Sequence, residues 1–380
     1  MKLDLVEVYS GYIQMGKPLV LPLYSSEGLL LANKGSVLDD EQFAIVAGHE
    51  KILTPKSELI AELEAIKLSN YHAEEIQDAP YQFPDTFSRL MKLERQYIKL
   101  LSHKGNDFEK KMMFLVRQLD ALITSSPDSS LAKIFLRTTR YASIELCFAT
   151  AIIGAICTRA MEWDETERHL FMCAAMTLDV GILLKTNAGG ILNLEPSFSD
   201  IQDDNNVYKS AAFLIEQNID NAKWLNYVLN HRLNDPRGNS EHDEAADLSM
   251  SNSLMIFIHN YCQMVLGYGY EQRVFPNVAL TELVRENVCR YRKLFLKVFS
   301  RAVGIFPAGG MLNLVTGEIC LVQKQSADSS KPFVRILQDK HGKLVSSPLV
   351  RQLDNNNLKI RDMIFNESLM NKVDFSAFWR

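Results

Sequence analysis

Asp179 and His231 are the side chains in this sequence whose types could do chemistry together. An aspartate and a histidine can share a proton, or hold a metal ion that activates water. Asp179 is the sharper signal because of where it falls. Trp163 to Gly181 reads as a capped helix, with Asp164 as N-cap and Glu167 at N3 forming a reciprocal capping box. Leu170, Phe171, Ala174, Ala175 and Leu178 then recur at helical spacing. Asp179 follows at the buried C-terminal end, shortly before Gly181. There its charge opposes the negative end of the helix dipole, and burial demands a cation or a donor. A metal would meet that demand, and so would a nearby Lys, Arg or backbone donor. His231 ends another helix, carrying Trp224, Leu225 and Val228, and opens a polar loop. A histidine in that place also suits the free carbonyls of a helix end. A second ligand set, His242-Asp243-Glu244 with His259 on the next helix, has the spacing of no familiar divalent site and reads equally as an exposed acidic loop.

Other chemistries find no support. Ala188-Gly189-Gly190 lacks the lysine of a phosphate-binding loop, and no G-x-S-x-G elbow is present. Arg290-Tyr291-Arg292-Lys293 falls on one expected helix, about Ala279–Val298, as a solvated face.

The elements that must position these residues are mostly helices. Helical periodicity predicts Thr86 to about Leu101, Asp107 to about Ile123, a helix started by Ser125-Ser126-Pro127-Asp128, and a nearly unbroken pattern from there to Leu178. It resumes at about Val207–Gln217, Asn221–Asn230 and Met250–Leu266. A small β-rich module precedes them. Pro18–Tyr24 and Leu29–Ala32 read as strands around the turn Ser25–Gly28, a short helix is capped by Asp39 or Asp40, and Lys51–Leu53 is another strand that Pro55 ends. Residues 57–68 read as helix, and Ser69 to Phe87 as a proline-bearing linker. After Pro307-Ala308-Gly309-Gly310 the period changes to strands at Met311–Val315, Glu318–Lys324, Phe333–Gln338 and Lys343–Val345, followed by a mixed polar tail. The fold class expected is therefore mainly α, with a small N-terminal α/β module and a short C-terminal antiparallel β element. The divisions expected are 1–56 for the module, 57–127 for a helical connector and 128–380 for the main helical domain, whose β element spans 304–350.

At 380 residues the chain can hold two or three domains. Its 47 % hydrophobic and 23 % charged residues are those of an ordinary globular protein. A net charge of −5 gives no general attraction to nucleic acid or anionic membrane. The apolar run Leu146–Cys157 is too short to span a bilayer, and Met1–Glu7 lacks the apolar core of a signal peptide. Cys147, Cys157 and Cys173 fall on apolar helical faces, as buried thiols do in a reducing compartment. A cytoplasmic protein without a membrane span is the expectation.

The order of these elements resembles the bacterial HD-GYP proteins, the branch of the HD phosphohydrolases linked to cyclic di-GMP turnover. The likeness rests on Leu19–Tyr24 with Gly28–Leu31 and Gly35–Leu38, on Trp163–Gly181, on Val207–Leu214 with Trp224, Leu225 and Val228, on Met255–Tyr261, and on Gly304–Gly309 with Leu312–Ile319. It implies an HD-GYP-like helical domain. In that family, histidines and aspartates hold two or three metals that activate water against a phosphodiester. Carried over residue by residue, the resemblance implies that most of that machinery is gone. The upstream histidine falls on Leu146 and the HD dyad on Leu178-Asp179. The lysine after it falls on Ile182, and a further ligand on Asn206. The His-His pair falls on Asn230-His231 or His231-Arg232, and the late aspartate on Asn260. The GYP loop is reduced to Asp235-Pro236-Arg237-Gly238-Asn239-Ser240.

Asp179 and His231 alone cannot hold a bimetallic centre. The resemblance thus implies a degenerate HD-GYP protein, a pseudoenzyme in bacterial signal transduction. It would need no cofactor and would bind a signalling protein or cyclic di-GMP through Arg232, Asp235, Arg237 and Gly238, with a homodimer as one form open to it. The alternative is a metal-dependent cyclic di-GMP phosphodiesterase, using Fe or Mn at an altered site of Asp179, His231, His259 and loop carboxylates.

Overall fold

Apolar residues at three- and four-residue spacing make the helices, and Asp and Ser caps hold several of their starts. The computed structural model describes residues 4–7, 18–47, 49, 51–58, 85–102, 107–136, 141–184, 192–203, 205–232, 248–270, 272–286, 290–326, 328–346, 348–353, 359–370, 372–373 and 375–379. The chain divides into two compact units, Met1–Phe83 and Pro84–Arg380.

The first unit holds β1 (Leu5–Glu7), β2 (Leu23–Ser25), β3 (Leu30–Ala32), α1 (Asp40–Ala47) and β4 (Ile52–Pro55). Its antiparallel sheet runs β1-β4-β2-β3. Asp39 caps α1 reciprocally with Gln42: the Gln42 amide donates to Asp39 Oδ1 at 2.8 Å and the Asp39 amide to Gln42 Oε1 at 3.3 Å. Leu19, Leu23, Leu38, Val46 and Ile52 form its core. The strand expected over Pro18–Tyr24 is shorter than its apolar pattern, with Pro18 making only a bridge to Val37. Most of the helix expected at 57–68 and of the linker after it lies outside the described residues.

In the second unit α2 (Thr86–Leu101), α3 (Phe108–Ser125), α4 (Pro127–Leu136), α5 (Ala142–Ala160), α6 (Glu165–Thr177), the short α7 (Val180–Leu183) and α8 (Phe198–Gln202), α9 (Asn206–Glu216), α10 (Ala222–Asn230) and α11 (Met250–Leu266) build one core. Phe87, Leu90, Tyr97, Met112 and Leu119 lie in it, so the helices expected as a connector share the interior of the main domain. Helix α5 is long and apolar enough to cross a membrane by length and composition, but Ser143 through Thr158 are buried inside the protein. Cys147, Cys157 and Cys173 are buried with it, as expected.

The single helix expected over Ala279–Val298 is instead two, α12 (Pro276–Glu286) and α13 (Arg292–Ala302). Arg290 and Tyr291 form a turn before the second of them, and Pro276 fits a helix start one turn earlier than expected. The Arg290–Lys293 run therefore straddles a helix start rather than lying along one face, with Tyr291 at the N-cap of α13.

The chain ends in an antiparallel sheet of β5 (Met311–Leu314), β6 (Ile319–Lys324), β7 (Phe333–Gln338), β8 (Val350–Gln352) and β9 (Ile360–Ile364), ordered β8-β7-β6-β5-β9. The polar tail thus supplies both edge strands, and the strand expected at Lys343–Val345 shrinks to one bridge, Gln338 to Leu344. Gly309 seats this sheet against α4: a Cβ there would lie 2.5 Å from Ala132 Cα, at a φ of +87° that favours glycine. The architecture is thus a mainly α-helical body with a small N-terminal sheet and a C-terminal antiparallel sheet.

Candidate functional site

Asp164 begins the construction by accepting the Glu167 amide at 2.9 Å, which fixes the start of α6. The expected return half of the capping box gives way to a longer reach, since the Glu167 carboxylate pairs with Lys223 on α10. Trp224 Nε1 donates to Thr177 Oγ1 at 2.8 Å, pinning α10 to the end of α6. Tyr97 donates to the Met176 carbonyl from the other side. Asp179 follows as the N-cap residue of α7, but its carboxylate makes no capping bond and is free to point inward. Gly181 lets α7 press on α9. A Cβ there would lie 2.7 Å from the Asn206 carbonyl oxygen and 2.8 Å from the Ser210 amide, and the Gly181 amide donates to Ser210 Oγ at 2.9 Å.

Three side chains meet the buried Asp179. Arg232 Nη2 donates to Oδ1 at 2.9 Å, and Nη1 of the same guanidinium donates to the Ile201 carbonyl at 2.9 Å. His259 Nε2 lies 2.8 Å from Oδ2. His231 Nε2 lies 3.4 Å from Oδ1, and its Nδ1 is 2.7 Å from the Val228 carbonyl. A carbonyl only accepts, so His231 Nδ1 carries a proton. The two imidazoles pack edge to face with centroids 4.9 Å apart. Leu146 and Leu178, where the resemblance puts lost ligands, are each 1 % exposed.

Burial works to raise the Asp179 pKa, but the His259 imidazole, the Arg232 guanidinium and hydrogen bonding outweigh it and hold the carboxyl well below its usual range. Burial also dominates at His259. It pushes that imidazole below its ordinary 6.5 although Asp179 pulls the other way. A neutral His259 therefore donates from Nε2, and its Nδ1 is buried without a partner.

The residues have the right elements for a metal: one ligand atom each from Asp179, His231 and His259, all within 4.8 Å of one another. The His231 Nδ1 contact to a carbonyl is the outer support that metal-bound histidines use. The arrangement as a whole does not fit a resident ion. Three donors bound by one metal at about 2.0–2.2 Å stand roughly 3–3.5 Å apart, and the His231 and His259 contacts to Asp179, 3.4 Å and 2.8 Å, are of that order, so charge and protons decide the question rather than spacing. A positive guanidinium already occupies Asp179 Oδ1. Ligation through His259 Nε2 would also move its proton to Nδ1, leaving a buried donor unpaired. No catalytic step through a metal follows from this geometry.

Of the residues singled out from the sequence, Asp179, His231 and Arg232 come together here. Arg232, expected to face a partner, is turned inward with its side chain 11 % exposed. Asp235, Arg237 and Gly238 lie outside the described residues, as do His242, Asp243 and Glu244. His259 joins Asp179, as the phosphodiesterase alternative grouped it, while Asn260 beside it is also buried and Asn206 donates to the Asp200 carbonyl at 2.6 Å. Of the residues offered for the His-His position, His231 and Arg232 face Asp179, and Asn230 bonds Asn226.

The chain matches no family model and no curated protein. Among solved structures it is similar to Bd1817, a HDG"Y"P protein from Bdellovibrio bacteriovorus. The two are 10 % identical, with a TM-score of 0.46 over 78 % of this chain and 98 % of that one. The findings are thus a distant structural match to an HD-GYP-type protein and a partial Asp-His-His triad.

The pH dependence of stability follows from these groups. His259 and Asp179 both bind protons less readily in the folded chain than in the unfolded one. The unfolded state therefore takes up protons first as pH falls. Their contribution is full above about pH 6.5 and shrinks below it, with Asp179 adding a second loss below its ordinary 3.8. The urea midpoint is expected to be lower at pH 5 than at pH 7.5, and His259→Gln should flatten that difference. A wild-type midpoint that rises toward pH 5 would contradict the assignment.

Proposed function

We propose that this protein is a non-catalytic, HD-GYP-like signalling module that binds a protein partner or a cyclic dinucleotide without cleaving it. One observation carries the reading: the Asp179 carboxylate is already neutralised by Arg232 and hydrogen-bonded by His259, so the group that would bridge to a metal is spent inside the protein. The sequence resemblance supports the signalling context, because scaffold order is kept where ligand positions hold Leu146, Leu178 and Asn206. With Arg232 turned inward, binding at the reduced GYP loop falls to Asp235, Arg237 and Gly238. One feature favours the phosphodiesterase alternative, namely that Asp179, His231 and His259 each bring one ligand atom within 4.8 Å of the others, but it acts alone.

The test is protein purified without chelators, analysed for metals and then titrated calorimetrically with cyclic di-GMP. Less than about 0.1 Fe, Mn or Zn per chain and no hydrolysis of added cyclic di-GMP are expected. Saturable binding would assign the sensor role, and no binding the protein-scaffold role. About one metal per chain together with hydrolysis that Asp179→Asn abolishes would overturn both.

A further inference from the structure

We infer that Arg232 is the resident cation of this cluster, a plug carried by the chain that closes a latent three-ligand metal site at Asp179, His231 and His259. The inference rests on the reading above that the native protein holds no metal there, and goes beyond it by assigning the exclusion to one side chain. The guanidinium bridges two fixed acceptors, Asp179 Oδ1 and the Ile201 carbonyl, each at 2.9 Å. Its Nε is buried without a partner, so its planar fork is seated for these two contacts rather than for a third. A divalent ion placed among the triad would share Oδ1 with that positive group at close range in a water-poor interior, where like charges repel strongly. What remains once Arg232 is removed is one carboxylate and two imidazoles, the donor classes that bind first-row divalent metals. His231 already has its Nδ1 proton held by Val228. The donors already lie within 4.8 Å of one another, and the further change required is movement of the His259 proton to Nδ1.

Co2+ alone serves as the probe, because its visible absorption reports nitrogen and oxygen ligation and its binding raises Tm. Arg232→Met and Arg232→Gln are each compared with wild type and with Arg232→Lys, which keeps a positive charge. Both neutral variants are expected to bind one Co2+ at least about tenfold more tightly than wild type, and Arg232→Lys to resemble wild type. Asp179→Asn added to Arg232→Met should abolish the gain. If a neutral variant folds poorly alone, Co2+ present during refolding should restore its helical circular dichroism. The inference is overturned if folded neutral variants gain no Co2+ site, if the gain survives Asp179→Asn, if Arg232→Lys gains as much as Arg232→Met, or if Co2+ fails to rescue a poorly folded variant. Such failures leave the non-catalytic reading standing, whereas a metal found in the wild type with Asp179-dependent hydrolysis removes that reading itself.

Discussion

Replacing Arg232 with methionine in metal-free buffer is expected to cost about 3–5 kcal/mol, the range for breaking a buried ion pair from one side. The loss comes less from the missing attraction than from what is left behind. Asp179 is 4 % exposed, and without Arg232 it faces, among the described residues, His231 and His259. Neutralising the carboxylate as well should recover much of the stability. Urea unfolding of Arg232→Met, Asp179→Asn and the double variant measures this directly. If the double variant is as unstable as the sum of the singles, the two side chains are not coupled and the cluster has been misread.

The second large effect is expected at Leu178, which closes α6 beside Asp179 at 1 % exposure. Leu178→Ala should lose about 2–5 kcal/mol, because the surrounding helices relax only partly around the space it leaves. A change within about 0.5 kcal/mol would mean that the space is open or collapses freely. Restoring histidine at Leu146 and Leu178 together should destabilise too. Both positions are walled by core side chains, and two imidazoles placed there would be buried among apolar groups.

Asp179 was legible as a problem from sequence because dipole and burial both work against a carboxylate at a buried helix end. Its solution was only half legible. His231 and Arg232 follow a helix end, and so stood out locally. His259 lies in the middle of an apolar helix 80 residues from Asp179, and its grouping with Asp179 and His231 came through the resemblance alone, because nothing in its neighbours names that partner. Arg232 misled for a related reason. A guanidinium beside a polar loop reads as exposed until the opposing carboxylate, 53 residues earlier, is placed in space. The helices were read well where caps and periodicity agree, as at Thr86–Leu101 and Met250–Leu266. The edge strands were missed because Val350–Gln352 is exposed along its length, and an edge with no buried face has no alternation to reveal it.

The contacts to Asp179 join positions 52, 53 and 80 residues apart. Contacts of that span close large loops of chain, and they form only after the local helices exist to present them. The cluster is therefore a clasp fastened late, and interactions absent from the folding transition state govern the rate of opening rather than the rate of formation. In Arg232→Met the lost stability should appear mainly as faster unfolding in the denaturant kinetics, with refolding close to wild type.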